Sequence, residues 1–395
     1  MTEDFKRRLK AYERGELEGE ELEAFEKELE KLEQFQDILE TDDSDKTSGT
    51  NDQKNKKSLW KNEQKQRKIL RKGKWRARIQ TAFYAVVLFI AFTIVASIIT
   101  SLYYSLGSNR MNVYADIIDY SLTVTDPYGI HGGSGANVTP YFSMKVNRDL
   151  RKQIGDEIIK VGEMDVNFIL SLMGDPEETY IGKETQSTPA FFYPEYYDFD
   201  IGSDWDRLEK LPEGTVASAY ISFAELMDTE TVFDHMEDKE LSLLWLAVDS
   251  GFESPEDDDF IAIHEPLGFP AHPIWHDDDF ILESREENIG FLGSGTVSES
   301  YSSPDYEAGD PEPLHTQFLK TLNFLKKYER KTNKMFFGNF NLSERIDYLE
   351  NNGIYHYGIV VTGPTKEVLA LRDESWVKVM QIDEVDLWNW HSIKD

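Results

Sequence analysis

Cysteine is absent from all 395 residues of this sequence. Its absence excludes disulfides, thiolate zinc sites, a lipidated cysteine anchor and a cysteine nucleophile. Catalytic motifs are missing too, since there is no G-x-S-x-G elbow, no P-loop and no H-E-x-x-H pair. We therefore predict that the chain is not an enzyme and that it has no catalytic residues, no metal and no cofactor.

Charge is absent from residues 79–106, a run that is dense in Val, Ile, Leu and Phe. About 20 helical residues cross a hydrocarbon layer of about 30 Å, so this run is long enough to span a membrane. Tyr84 near one end, and Tyr103 and Tyr104 near the other, suit the aromatic belts at the two interfaces. The sequence predicts one transmembrane helix over residues 79–106.

The flanks of this run predict its orientation. Residues 60–78 contain nine basic side chains and a single acid, Glu63, whereas only Arg110 follows closely on the other side. Because basic flanks stay in the cytoplasm, the N-terminus is predicted to be cytoplasmic and residues 111–395 extracytoplasmic, in the cell membrane. The basic juxtamembrane segment 60–78 would contact anionic lipid.

Negative charge is concentrated after the predicted span. Residues 111–395 hold 55 of the 74 acidic side chains but only 21 of the 42 Lys and Arg side chains. A surface this acidic repels the phosphates of DNA and RNA. We therefore predict no direct nucleic-acid binding, and we interpret most of these acids as solvated.

Residues 1–40 have apolar side chains at helical spacing, in a short helix that ends near Gly15 and a longer helix rich in Glu and Lys. Two helices of this length are too small to bury both apolar stripes against each other. The stripes therefore need a partner. We interpret as its binding surface the residues Phe5, Leu9, Tyr12, Leu22, Phe25, Leu29, Leu32, Phe35 and Leu39.

Three partners are open for this surface: a second copy in a coiled coil, the membrane surface, or a groove in another protein. The acidic face disfavours anionic lipid, and about two and a half heptads are short for a coiled coil. We favour binding in a groove. Residues 41–59 are poor in apolar side chains and are predicted to be a disordered linker that gives the helices reach.

Residues 111–395 are predicted to form an α+β domain. Helical spacing predicts helices at 315–328 and 343–352 and allows a third at 237–248. Runs rich in β-branched and aromatic residues predict strands at 137–146, 165–172, 214–223, 354–363 and 376–388.

Residues 253–310 are rich in Asp, Glu, Ser, Gly and Pro and are predicted to be long acidic loops. They contain one group of residues with metal-ligating side chains: His264, His272, His276, Asp257–Asp259 and Asp277–Asp279. Their spacing matches no metal motif, and three vicinal acids cannot all face one ion from a strand. We predict no metal site here.

Ordered landmarks along the chain resemble the sigma factor regulator family of Gram-positive bacteria. Residues 3–33 resemble its N-terminal module. The landmarks that resemble its C-terminal module are Leu211, Pro212, Gly214, Pro266, Leu267, Gly268, Thr362, Gly363, Pro364, Trp388 and Trp390. The acidic stretch 253–310 has little counterpart in the family pattern.

The resemblance implies an anti-sigma factor. Its cytoplasmic helices would hold an extracytoplasmic-function sigma factor at the membrane, away from RNA polymerase, while the outer domain responds to the state of the envelope, with room for a second membrane protein as partner. The residues alone leave another class open: a membrane-anchored envelope hydrolase, or a cell-wall-binding or scaffold protein, whose N-terminal helices dimerise. Sigma-factor capture by residues 1–40, as opposed to self-association, separates the two.

Overall fold

The chain divides into two compact units, Met1–Leu88 and Phe89–Asp395. The computed structural model describes residues 3–14, 16–17, 19–42, 51–106, 109–127, 130–181, 189–194, 203–253, 262–289, 295–336 and 338–388. The first unit is helical in its described residues. The second contains an α+β domain, which confirms the predicted fold class of this region.

Three helices begin the chain: α1 (Glu3–Arg14), α2 (Gly19–Asp42) and α3 (Asn51–Ser105). The third begins inside the predicted linker 41–59 and continues through the basic segment 60–78. Residues 41–42 and 51–59 are helical and so differ from the predicted disordered linker, and residues 43–50 lie outside the described residues. The physical reason is that residues 51–72 contain neither Pro nor Gly and are rich in Lys, Gln and Arg, which favour helix even without an apolar stripe.

Within α3, Leu70–Ser105 is long and apolar enough to cross a membrane, and it is the one such helix in the part of the chain that the structure describes. Its apolar side chains are largely uncovered by protein, with Leu88 72% exposed and Phe83 63% exposed. A continuous apolar surface of this size is compatible with lipid and incompatible with water. The predicted span, residues 79–106, begins nine residues after the start of this helix and ends one residue beyond its end.

The first sheet of the C-terminal domain is antiparallel, in the order β1-β2-β3-β4, with β5 also paired to β3. The strands are β1 (Ile130–Thr139), β2 (Ser143–Ile154), β3 (Glu157–Ile169), β4 (Leu172–Met173) and β5 (Glu177–Tyr180). The strand predicted at 137–146 is in fact interrupted by a turn at residues 140–142. Proline cannot donate a hydrogen bond to a strand partner, and Pro140 opens this turn.

The second sheet is antiparallel, in the order β10-β8-β13-β7-β14, and its three inner strands are buried on both faces over most of their length. The strands are β7 (Thr215–Met227), β8 (Ser242–Val248), β10 (Gly268–Pro270), β13 (His356–Pro364) and β14 (Val377–Leu387); the short strands β6 (Phe191–Phe192) and β9 (Ala262–Ile263) pair nearby. The prediction of a possible helix at 237–248 is wrong, because residues 242–248 form strand β8. A strand covered on both faces has a continuous apolar run, which periodicity alone cannot distinguish from a buried helix.

Helices cover the second sheet, and those predicted at 315–328 and 343–352 are confirmed. The described helices after the first sheet are α5 (Trp205–Leu208), α6 (Thr229–Met236), α7 (Pro311–Lys327), α8 (Glu329–Met335), α9 (Leu342–Asn352) and α10 (Thr365–Ala370). Asp310 caps α7, since its carboxylate accepts from the Glu312 amide at 3.1 Å. Pro311 then occupies the first turn, where no amide donor is needed.

The acidic stretch 253–310 is not a set of loops throughout. Besides β9 and β10, it contains a two-stranded hairpin of β11 (Ile281–Ile289) and β12 (Gly295–Ser302). The loop prediction is wrong for these strands because backbone pairing tolerates acids whose side chains remain in water. Every described side chain of the hairpin except Ser302 is exposed, so its acids are solvated as expected.

Helix α4 (Arg110–Thr125) follows the span and contacts both sheets. From the first sheet, the guanidinium of Arg148 is buried and forms a two-pronged pair with Asp119. From the second, the indole N–H of Trp245 donates to the Thr123 carbonyl at 3.1 Å. This helix therefore fixes the C-terminal domain directly to the end of the span.

Tyr104 does not lie in an interfacial aromatic belt, contrary to the prediction. Its side chain is completely buried and packs edge to face on Tyr114, with ring centroids 6.4 Å apart. The last turn of the span therefore belongs to the core of the C-terminal domain, which a local aromatic pattern does not reveal.

A chain of buried polar groups lies beneath the second sheet. The Thr229 hydroxyl is 2.8 Å from His356 Nε2 and 2.7 Å from His315 Nε2, and His356 Nδ1 is 3.2 Å from the Ala247 carbonyl. The carbonyl requires a proton on His356 Nδ1, so Thr229 donates to His356 and accepts from His315. Burial, and to a lesser extent His315, lowers the pKa of His356 to about 3.

We predict that His356 makes the C-terminal domain sensitive to acid. Its folded pKa of about 3 lies below the ordinary value of 6.5, so its neutral form stabilises the fold above pH 6.5. That contribution is lost as the pH falls from 6.5 toward 3, by about 1.4 kcal/mol per pH unit. His356→Asn should flatten this dependence in denaturant unfolding of the solubilised chain, whereas the exposed-site control His264→Asn should not. Equal slopes for all three proteins would contradict the assignment.

Candidate partner-binding site at the N-terminal helices

Three aromatic rings join α1 to α2. The Phe5 and Phe25 centroids are 5.4 Å apart, and the Tyr12 and Phe25 centroids are 5.6 Å apart. Phe25 is completely buried and Phe5 is 9% exposed. Aromatic rings bury large areas in a single contact, so three of them close a hairpin from two short helices.

Polar contacts surround this aromatic cluster. Arg8 lies over the Phe25 ring at 5.1 Å and pairs with Glu28 at 3.2 Å. The Tyr12 hydroxyl donates to Glu26 at 3.2 Å. These contacts cross from α1 to α2 and fix the pairing of the two helices.

Arg71 of α3 also contacts the hairpin. Its guanidinium pairs with Glu26 at 3.2 Å and lies 5.3 Å from the centre of the Tyr12 ring. Sequence reasoning counted Arg71 only as one charge of the basic flank. Its position in the chain gave no signal of this contact, because Arg71 and Glu26 are 45 residues apart in the sequence.

The expectation that both apolar stripes lack a mate within the chain is therefore wrong in part. Phe5 and Phe25 pack against each other, and Phe25 is completely buried. Length alone led to the wrong expectation, since it takes no account of how much area an aromatic side chain buries.

Outside the aromatic cluster, leucines make up most of the apolar surface of α1 and α2 in the described residues. Leu32 is 45% exposed, while Leu9, Tyr12, Leu22 and Leu29 are partly buried. Helix α2 has 24 residues against 12 in α1, so α1 can cover only about half of its length. Phe35 and Leu39 belong to α2 by backbone, but their side chains lie outside the described residues. We call Leu29 and Leu32 the leucine surface.

The landmark residues of the C-terminal domain serve packing and turns. The Thr362 hydroxyl accepts from the Gly155 amide at 2.7 Å and donates to the Ala217 carbonyl at 3.0 Å, which links the two sheets. At Gly268 an added Cβ would lie 2.1 Å from the Leu246 carbonyl oxygen.

The remaining landmarks are consistent with a structural role. Gly214 has φ 80° and its carbonyl accepts from the Trp388 amide at 2.7 Å. Leu267 is buried, as are Pro266 and Gly363, whereas Pro212 is exposed and Leu211 and Pro364 are partly buried. Trp390 lies outside the described residues. The described landmarks therefore contribute to the fold of the C-terminal domain.

Three of the residues with metal-ligating side chains have protein partners, namely His276, Asp278 and Asp279. His276 stacks on Tyr120 at 4.3 Å and its Nε2 lies 2.9 Å from the Thr321 hydroxyl. Lys320 pairs at 2.7 Å with both Asp278 and Asp279. Asp257–Asp259 lie outside the described residues, and among the described ones no group of three or more such side chains could hold a metal ion.

These features define a single-pass membrane protein with a small helical unit and an α+β domain. The chain belongs to the sigma factor regulator family: the family's C-terminal pattern, "Sigma factor regulator C-terminal", matches residues 208–384, and "Sigma factor regulator N-terminal" matches residues 67–159. The chain is 28% identical to the "Probable anti-sigma-M factor YhdL" of Bacillus subtilis (strain 168) over 396 residues, 99% of this chain and 100% of that protein. No solved structure matches the chain.

The matched ranges correct one part of the resemblance. The N-terminal family pattern covers the end of the basic segment, the span, α4 and the hairpin of β1 and β2. It therefore begins after residues 3–33. The N-terminal helices lie outside both family patterns, although the similarity to the Bacillus protein extends over them. The C-terminal landmarks fall inside their pattern as far as Pro364, while Trp388 and Trp390 lie just beyond it.

We predict that Phe25→Ala opens the helical hairpin. Removing a completely buried Phe costs about 3–5 kcal/mol, and a hairpin of two helices has few other contacts to offset the loss. Hydrogen exchange of the full-length solubilised protein should show lost protection in α1 and the first half of α2. Leu32→Ala, at an exposed site, should leave protection unchanged, and protection of the C-terminal domain should be unaffected in both variants. Unchanged protection in Phe25→Ala would contradict the packing.

Proposed function

We propose that this chain is a membrane anti-sigma factor that holds an extracytoplasmic-function sigma factor through the leucine surface of α2. The observation that carries the proposal is the exposed Leu32 on a helical hairpin joined to a membrane span. The name of the Bacillus relative supports the partner class. Phe5 and Phe25 would hold the hairpin in shape, and Leu9, Tyr12, Leu22, Phe35 and Leu39 would extend the contact.

The hairpin would lie in the cytoplasm, where sigma factors act. The basic flank at residues 60–78 supports this orientation, because basic flanks favour the cytoplasmic side. The C-terminal domain would then lie outside the membrane. Its acidity suits an exposed, solvated surface and disfavours nucleic acid, so the effect on transcription would pass through the protein partner alone.

The leucine surface also indicates the chemistry of its partner. Glu23, Glu28 and Glu30 are exposed on α2, with Lys27 and Lys31 as the only described basic side chains of that helix. An apolar groove with a basic rim is complementary to such a helix. Apolar contact would provide affinity, and the acids would exclude partners of like charge.

The C-terminal domain would respond to the state of the envelope. Its α4 helix contacts both sheets, so a change in this domain would reach the end of the span through these contacts. A second membrane protein could act on the same junction. Release of the sigma factor would follow from a change at the span or from cleavage of the chain.

We predict that Leu29→Asp with Leu32→Asp releases the sigma factor and raises transcription of its targets. Each buried leucine contributes roughly 1.5–3 kcal/mol to an apolar interface, so losing both weakens binding by at least about 100-fold. Co-purification of the sigma factor with the tagged full-length chain from membranes measures binding, and a reporter under a target promoter measures release.

The matched control is Lys27→Asp with Lys31→Asp, which adds the same two carboxylates at exposed positions of the same helix. This control should keep the sigma factor bound. If the leucine double variant still retained the sigma factor, the proposed surface would be wrong. If the intact chain captured only a second copy of itself, a dimerising scaffold would replace the anti-sigma function.

A further inference from the structure

Two turns of the first sheet lie beside the span. The first is the β1–β2 turn at residues 140–142, and the second is the β3–β4 turn with its flanking residues, 169–172. We call them the two tips. They touch each other, since the Leu170 amide donates to the Phe142 carbonyl at 2.8 Å.

Hydroxyl groups of the span hold the first tip. The Thr93 hydroxyl donates to the Phe89 carbonyl and therefore accepts from the Tyr141 hydroxyl at 2.9 Å. The Thr100 hydroxyl donates to the Ala96 carbonyl and accepts from the Phe142 amide at 2.9 Å. Each threonine hydroxyl thus forms one hydrogen bond with its own helix and one with the first tip.

Tyr104 joins both tips to the same face of the helix. Its hydroxyl lies 3.1 Å from the carbonyl oxygens of Phe142 and Leu170. The amide and carbonyl groups of Phe142 and Leu170 are therefore satisfied without water. Non-helical backbone tolerates membrane depth only when protein groups satisfy it in this way.

The position of these hydroxyls along the span places the tips at membrane depth. The uncharged run 79–106 contains 28 residues, and Thr93 is its fifteenth. Wherever a hydrocarbon layer of about 20 residues falls within this run, it includes Thr93. Because the Tyr141 hydroxyl bonds to Thr93, this side chain reaches the same depth.

The free surface of the tips is apolar and carries no charge. Leu172 is 72% exposed, Ile169 60% and Tyr141 45%. No charged residue occurs in 137–144 or in 166–174, and Lys145 and Asp175 are the first to follow each tip. Exposed apolar side chains contiguous with a membrane span indicate a surface in contact with lipid.

The backbone at the tips is in a conformation that large side chains rarely adopt. Tyr141, Phe142 and Leu170 have φ of 66°, 64° and 56°, in the left-handed region where glycine is usual. The sequence nevertheless places bulky apolar residues there. Such residues are unfavourable in a water-exposed turn and favourable in a turn that meets lipid.

We propose that the two tips insert into the hydrocarbon of the bilayer leaflet on the side of the C-terminal domain. Their occupant is the acyl chains of that leaflet, which match a charge-free surface whose backbone is already hydrogen bonded. The first sheet would then contact the bilayer directly, next to the span and not only through it. This proposal is independent of sigma-factor binding.

The test uses the absence of cysteine from the chain. Leu172→Cys in the full-length protein is labelled with an environment-sensitive fluorophore and reconstituted into phosphatidylcholine–phosphatidylglycerol vesicles. The label should emit at shorter wavelength than in water and lose emission when lipids with nitroxide groups on their acyl chains are added, because both effects require contact with hydrocarbon.

The matched control is Ile158→Cys, which is 56% exposed and lies at the opposite end of β3, about 36 Å from Ile169 along the strand. Its label should behave as in water. If the two labels gave the same emission and the same lack of quenching, the tips would be water-exposed and the proposal overturned. A shifted Leu172 label without lipid quenching, or a disulfide between two copies, would also overturn it, since a protein would then cover the tips.

Discussion

Hydrocarbon offers no hydrogen bonds, and the rest of the structure depends on this constraint. Residues 79–106 can lie in a bilayer only because a helix satisfies its own backbone. The same constraint explains the hydroxyls on one face of the span, where Thr93, Thr100 and Tyr104 bond to turns of the adjoining sheet. The end of the span and the C-terminal domain therefore form one packed unit.

The N-terminal hairpin is stabilised by different means. In its described residues, the core consists mainly of Phe5, Tyr12 and Phe25, with Arg8 and Arg71 over the rings. So small a core keeps the helices paired but leaves part of α2 uncovered. A partner that covers Leu32 would complete the buried surface, which is how a small tethered hairpin can hold a much larger protein.

Local patterns in the sequence predicted the span, three of the five strands of the second sheet and two helices, because charge-free length and periodicity need no knowledge of distant residues. They failed where distant contacts decide. Residues 242–248 become strand β8 because both faces are covered, and Phe25 is buried because Phe5 folds back on it. For the same reason the seven predicted contact residues with described side chains could not be divided, from the sequence, into those that close the hairpin and those that are more exposed.

Capture of a sigma factor requires the hairpin to lie in the cytoplasm, and the basic flank at residues 60–78 predicts that the C-terminal domain lies on the other side of the membrane. Single cysteines at two exposed sites, Glu30→Cys in α2 and Ser298→Cys in β12, test this directly in a chain that has no other thiol. A membrane-impermeant maleimide should label Ser298→Cys in intact cells and Glu30→Cys only after the membrane is permeabilised. Labelling of Glu30→Cys in intact cells would contradict the account.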